Sequence, residues 1–339
     1  MARLHGALGR TLQPRLAPRP RVSERWAGGG GARAHRFAVP AVAALLAAGL
    51  WAAEARATDP AKVDWSGDWP KVRLWEVGAA GALTIGDTLF ESYVPLPSRP
   101  AWRGGILFDN WARQTFRGHT AELQSTASTL SDFFYKAGAF VPFLMDDYFG
   151  AMGLHENAGV GLQLMVIDLE SLGFAGLVSL GAEHAIGRPR PYTQSCGRDG
   201  HVRDDVGDIE QTCGSSNDNR SFFSGHSTAT ATVAGLVCVH HQHLPLFGGG
   251  LADLAPCLAM IGVSVATGLL RLVYDEHWGS DVIVGWIDGA FAGYVLPSLL
   301  HFGFGSGHPV AELRAGSLDL IPTLRPYPGG GGVGVVGTF

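Results

Sequence analysis

Six apolar stretches, at roughly 72–92, 120–150, 158–184, 226–240, 252–272 and 281–303, constrain this chain of 339 residues more than any other feature. Each has helical length, and clusters of Gly, Pro and polar residues separate them. No strand-like alternation of polar and apolar residues breaks into them, and no internal repeat is found. The pattern predicts an all-α helical bundle over residues 58–305. The segment 306–339, with its run Gly329 to Gly332 and its terminal Phe339, is expected to form a short irregular or β-like tail. A terminal Phe also occurs in outer-membrane strands, but one strand cannot close a barrel.

Residues 1–57 read as a signal or leader segment. The first 36 residues hold eight Arg, no Lys and one acid; the apolar run Phe37 to Ala53 and the small-residue triplet Ala55-Arg56-Ala57 follow. That is the order of a secretory signal, although its basic region is long enough to leave a transit-like leader, an uncleaved anchor or a later start codon open. Without residues 1–57, which carry nine Arg and two Glu, 16 basic groups face 28 acidic ones, a balance of −12. So acidic a chain is a poor partner for nucleic acid. The expected location is exported, periplasmic or membrane-associated, and the sequence sets no oligomeric state.

Four cysteines fit an oxidising compartment. Cys196 and Cys213 bracket a polar insertion and are expected to pair, which would stabilise the fold by about 3 kcal/mol through restriction of the unfolded chain. Cys238 and Cys257 lie in apolar, helix-like sequence, where a buried thiol and a bridge are both open readings.

A membrane-spanning helix needs about 20 mostly apolar residues. Acids interrupt these stretches at Glu76, Asp87, Glu91, Asp168, Glu170 and Asp288; only 254–270 comes close, because the uncharged stretch 221–252 carries His240, His241 and His243 and is broken by Pro-Leu and Gly-rich segments. The expectation is a globular exported bundle, with membrane-surface contact or partial embedding as the alternative.

Chemistry concentrates in three short strings: Arg188-Pro-Arg190-Pro191, Ser224-Gly225-His226, and Arg271 followed by His277 and Asp281. Two arginines can fork onto phosphate oxygens, a Ser-Gly turn can offer a hydroxyl and an unhindered N–H, and two histidines can serve as nucleophile and acid. The run after His226, Ser-Thr-Ala-Thr-Ala-Thr, looks like a helix start, whose free N–H groups favour an anion. The prolines around Arg190 should end the preceding helix near Gly187. Asp281 stands four residues after His277, so on one helix the carboxylate could accept from the imidazole Nδ1–H. Arg188 is expected to be a solvated or salt-bridged neighbour.

These residues resemble the type 2 phosphatidic acid phosphatase and vanadium haloperoxidase superfamily. Its pattern is Lys-x6-Arg-Pro, Pro-Ser-Gly-His and Ser-Arg-x5-His-x3-Asp. Arg190, Pro191, Ser224, Gly225, His226, Arg271, His277 and Asp281 match, eight of eleven motif positions; Glu183, Phe223 and Leu270 depart. The resemblance implies the bundle of that superfamily and a phosphatase acting on a phosphomonoester or lipid phosphate. His277 would attack phosphorus and form a phosphohistidine, with Asp281 orienting it. His226 would protonate the leaving alkoxide and then activate water. Arg190, Arg271, Ser224 and Gly225 would bind the phosphoryl oxygens. No cofactor and no metal is implied for that chemistry.

Glu183 stands where the family has lysine. At about 4 Å and an effective dielectric near 20, two like charges cost about 4 kcal/mol, roughly a thousandfold in binding. Glu183 is therefore expected to turn away and clamp Arg190 or Arg188. The rival readings are a vanadium-dependent haloperoxidase and a degenerate, non-catalytic phosphate-binding member. The insertion 193–219 should roof the pocket, and its acids Asp199, Asp204, Asp205, Asp208 and Glu210 disfavour highly anionic substrates. His240, His241 and His243 read as a solvated helix end rather than a metal site. Asp168 and Glu170 could be bundle contacts or line the pocket.

Overall fold

The structure, a computed structural model, describes residues 63–97, 99–197, 202 and 213–304, together with the backbone of strands within 313–338. The proposed leader and most of the insertion 193–219 lie outside the described residues.

Seven α-helices form the described bundle: α1 Leu74–Tyr93, α2 Asp109–Phe116, α3 Ala121–Gly138, α4 Ala158–Ile186, α5 Gly225–His243, α6 Leu251–Val273 and α7 Gly279–Ala290. The stretch 120–150 is not one helix. α3 stops at Gly138, and the chain restarts at Pro142, which has no N–H to continue a ladder, as the π-helix Pro142–Leu154. α7 continues through wide turns to Phe302. At the C-terminal end, β1 Leu313–Ala315, β2 Leu318–Tyr327 and β3 Gly330–Thr338 make an antiparallel sheet in the order β1-β2-β3.

Local sequence accounts for the helix boundaries. Thr120 Oγ1 accepts from Leu123 N at 3.2 Å to start α3, Asn157 Oδ1 accepts from Val160 N at 3.1 Å to start α4, and Ser224 Oγ accepts from Ser227 N at 3.3 Å to start α5. α4 ends, as expected from the prolines, at Gly187, whose φ of 57° is left-handed and whose α-hydrogen faces Pro97 where a Cβ would clash.

α5 is the central helix, with 14 of its 19 residues buried. It packs against α4, α6 and α7, and Leu236 and Val239 join Leu164, Ile167, Leu246 and Phe302 in the main core. The α5–α7 contact is backbone on backbone. A Cβ at Gly285 would lie 2.7 Å from Ser224 O, one at Gly289 2.3 Å from Thr228 O, and one at Gly293 2.0 Å from Thr232 O. This crossing brings the N-terminal ends of α5 and α7 together. Both cysteine pairs are bridged: Cys196–Cys213, as expected, and Cys238–Cys257, which ties α5 to α6.

Three segments are long and apolar enough to cross a membrane: Ala158–Ser195, Leu251–Val273 and Gly279–Phe302. Counting uncharged runs in the sequence found only one of them. Asp168, Glu170, Glu183 and Asp281 are buried inside the bundle, so they do not interrupt an outward apolar face. Leu258, Ile261, Val265 and Leu269 make such a face on α6, and Ile283, Ile287 and Phe291 make one on α7.

Candidate active site

The α5 N-terminus, the loop before α7, and the segment after α4 meet at one place. Ser224 caps α5, and its own N–H donates to Asp281 O at 3.2 Å. A Cβ on Gly225 would meet only Ser179 Oγ, at 3.6 Å; the glycine is not demanded by packing, and its lack of a side chain leaves the helix N–H groups approachable.

His226 is one residue into α5. Its Nε2 lies 2.9 Å from Asp132 Oδ1 of α3, and its ring leans on Tyr135 with centroids 4.5 Å apart. Burial, and after it the charge of Arg271, lowers the imidazole to about 4. Asp132 is held below the usual carboxylate range, first by its hydrogen bond with His226.

His277 is buried, with Nδ1 2.8 Å from Ser221 O. A carbonyl can only accept, so Nδ1 carries the proton and Nε2 keeps its lone pair. Burial, then the charges of Arg190 and Arg271, holds His277 well below the ordinary imidazole range. It is a neutral base at physiological pH.

Asp281 does not take the place expected for it. α7 begins at Gly279, so His277 precedes the helix and the four-residue spacing puts no common face beneath the two side chains. The Asp281 carboxylate instead caps α7 through Trp278 N at 2.9 Å and accepts from Ser221 Oγ at 2.5 Å. It also receives Arg188 Nη1. Arg188 is the salt-bridged alternative and not a solvated one. It is fully buried, donates to Asp109 Oδ2 at 2.6 Å, Ser280 Oγ at 2.9 Å and Gly104 O at 2.9 Å, and stacks its guanidinium 4.0 Å above Trp102. It is a keystone beneath the site.

Arg190 and Arg271 converge, and what they converge on is a carboxylate. Arg271 Nη2 lies 3.4 Å from Glu276 Oε2, and Arg190 Nη1 pairs with the same oxygen. Arg271 Nη1 also reaches Ser131 Oγ at 3.3 Å and Asp132 Oδ1 at 3.7 Å, while Arg190 Nε donates to Asn217 O at 2.9 Å. The sequence reading overlooked Glu276, Asp132 and Ser221. Glu276 alone had a signal, as an acid next to the motif histidine; Asp132 and Ser221 lie outside the motif strings. A cleft of about 920 Å³ opens alongside, lined by Glu91, Pro189, Asn217 and Arg220 among others.

Glu183 clamps neither Arg190 nor Arg188, although the charge of Arg190 still acts on it. It accepts from Arg220 Nε at 2.7 Å, and Arg220 also holds Glu91 at 2.7 Å. Arg220 follows the insertion in sequence, which brings its guanidinium back over α4. Asp168 and Glu170 are buried, and Asp168 lies against His240.

Arg190, Arg271 and His226 thus lie close enough to His277 for their charges to act on it. Residues 165–303 match the family profile of the PAP2 superfamily. That superfamily suggests phosphatase or related phosphoryl-transfer activity. No curated protein and no solved structure matches the chain.

Proposed function

We propose that the protein is a phosphatase that hydrolyses a phosphomonoester or lipid phosphate through a phosphohistidine on His277. The observation that carries this reading is the fixed tautomer of His277: with Nδ1 donating to Ser221 O, the nucleophilic lone pair on Nε2 is available beside Arg190 and Arg271.

The phosphate displaces Glu276 and takes both guanidinium groups. Nε2 of His277 attacks phosphorus, the P–O bond to the leaving group breaks, and His226 gives a ring proton to the departing alkoxide. Binding of the phosphate dianion raises the proton affinity of His226 from its low resting value. Water then attacks the phosphohistidine, His226 takes its proton, and inorganic phosphate leaves. Asp281 acts on His277 at one remove, by fixing Ser221, whose carbonyl orients the ring.

Two disulfides and three outward apolar segments support an exported, membrane-associated protein whose α4, α6 and α7 contact lipid. On that reading a lipid phosphate is the favoured substrate. A non-catalytic anion binder is the second reading, favoured by Glu183 in place of lysine and Glu276 on the arginines. Hydrolysis of an aryl phosphate by the wild-type chain and by His277→Ala separates the two: turnover lost with His277 supports the enzyme, and phosphate binding without turnover in the wild type supports the binder.

A further inference from the structure

About fourteen residues along α5 from His226, roughly 21 Å by helical rise, a second cluster of titratable groups is buried with no part in phosphate binding. His240, His241 and His243 are not a solvated helix end: all three are buried on α5. His240 faces two consecutive aspartates of the π-helix, Asp146 and Asp147, and Asp168 of α4. One ligand atom each from Asp147, Asp168 and His240 lies within 4.8 Å of the others. Both oxygens of Asp147, both oxygens of Asp168 and Nε2 of His240 are buried without a hydrogen-bond partner. Five orphaned polar atoms converging on one point are rare in a folded interior.

The surroundings are arranged as for a ligand set. Nδ1 of His240 lies 3.1 Å from Asp146 Oδ2, so the ring N–H donates to that carboxylate and Nε2 keeps its lone pair toward Asp168, 3.4 Å away. Asp146 is held in turn by His241 Nε2 at 3.2 Å, and His241 Nδ1 by Asp253 at 2.5 Å, whose carboxylate also accepts from Phe247 N at 3.0 Å. A carboxylate behind a histidine is the usual outer support of a metal-ligating imidazole. No Lys or Arg pairs with Asp146, Asp147 or Asp168 among the described residues. A proton shared between Asp147 and Asp168 would satisfy one oxygen of each and leave Nε2 of His240 and the other two oxygens unpaired. A cation satisfies atoms of all three side chains together.

We infer that Asp147, Asp168 and His240 bind a divalent transition-metal ion that fastens the π-helix to α4 and α5. One imidazole and two carboxylates suit zinc or manganese, with water or a second carboxylate oxygen completing the shell. The ion is structural, since it sits far along α5 from the phosphate site.

The full chain, purified in detergent, is the material for the test. Elemental analysis is expected to find about one equivalent of metal per chain, removed by prolonged chelation. Returning Zn2+ or Mn2+ to the stripped protein should raise Tm by about 5 °C at a hundredfold excess over Kd, and His240→Gln or Asp168→Asn should abolish that rise. Because those variants could fail to fold, Co2+ added to the stripped wild-type chain gives an independent reading: visible ligand-field bands that Zn2+ displaces. Absence of bound metal together with an unchanged Tm and no cobalt bands would overturn the inference, as would a full metal-induced rise in folded His240→Gln and Asp168→Asn.

Discussion

His277 gives its Nδ1–H to the backbone carbonyl of Ser221, 2.8 Å away, and this bond fixes the tautomer on which the proposed chemistry depends. Ser221 is fixed in turn by Asp281, which is fixed by Arg188. The orienting group of the proposed nucleophile is thus a backbone oxygen, and the motif carboxylate supports it from behind.

Arg188 is the buried cation that holds Asp109 and Asp281 together. Arg188→Met would leave two buried carboxylates without a counter-charge, and a loss of about 3–5 kcal/mol is expected. Chemical denaturation measures it. An unchanged midpoint would show that the guanidinium is not the keystone described above.

Acid pH is expected to favour turnover. His226 in the free protein is lowered to about 4, so its acid form grows as pH falls, and kcat/KM should rise from pH 8 toward pH 5 while His277 stays neutral. Both histidines have folded pKa values below their unfolded ones. These two histidines therefore bind fewer protons in the folded state below about pH 6.5 and contribute less stability as pH drops toward 4, while Asp281, raised to about 7 by burial, works in the opposite direction. A kcat/KM profile that climbs toward alkaline pH would contradict the role given to His226.

Glu276 occupies both Arg190 and Arg271, and on the proposed reading it competes with phosphate for them. Glu276→Gln removes the competing charge, and inorganic phosphate should inhibit about tenfold more strongly, equivalent to about 1.4 kcal/mol, with kcat changed less than about threefold. Inhibition constants for the two proteins decide this. Weaker inhibition in the variant would mean that Glu276 positions the arginines instead of blocking them.

The α5–α7 crossing can be tested with paired glycines. Gly289→Ala would place a Cβ 2.3 Å from Thr228 O, whereas Gly262→Ala on α6 meets nothing within 4 Å. The first should cost about 1–3 kcal/mol through overpacking, and the second should be neutral or stabilising by up to about 1 kcal/mol. Equal effects on Tm would remove the close crossing from the account.

Glu183→Lys is expected to harm the protein and not to repair it. A lysine there would face Arg220 where Glu183 now pairs with it at 2.7 Å, and a loss of about 2–3 kcal/mol should follow. A gain in both stability and turnover would restore the simpler reading of a missing phosphate ligand.

The helical bundle was legible because helical length and apolar content survive in sequence, and the caps Thr120, Asn157 and Ser224 mark where helices begin. The motif arginines and histidines were legible for a different reason: their residue types are tied to one chemistry. What failed depended on where a helix starts or on partners from other elements. Asp281 was set on the wrong partner because α7 begins two residues after His277. His240 and His241 looked solvated because Asp146 lies 94 and 95 residues before them. Helices long and apolar enough to cross a membrane were undercounted because acids within them such as Asp168 and Asp281 are buried in the bundle, a distinction that a count of charges along the chain does not make.

The central claim is the covalent step on His277, and rapid acid-free quenching of the wild-type chain with a phosphate-labelled aryl substrate tests it most directly. A base-stable, acid-labile phosphoryl label on the protein is expected in the wild type and none in His277→Ala, with turnover lost alongside. Unchanged turnover in folded His277→Ala, or a label that persists there, would contradict it.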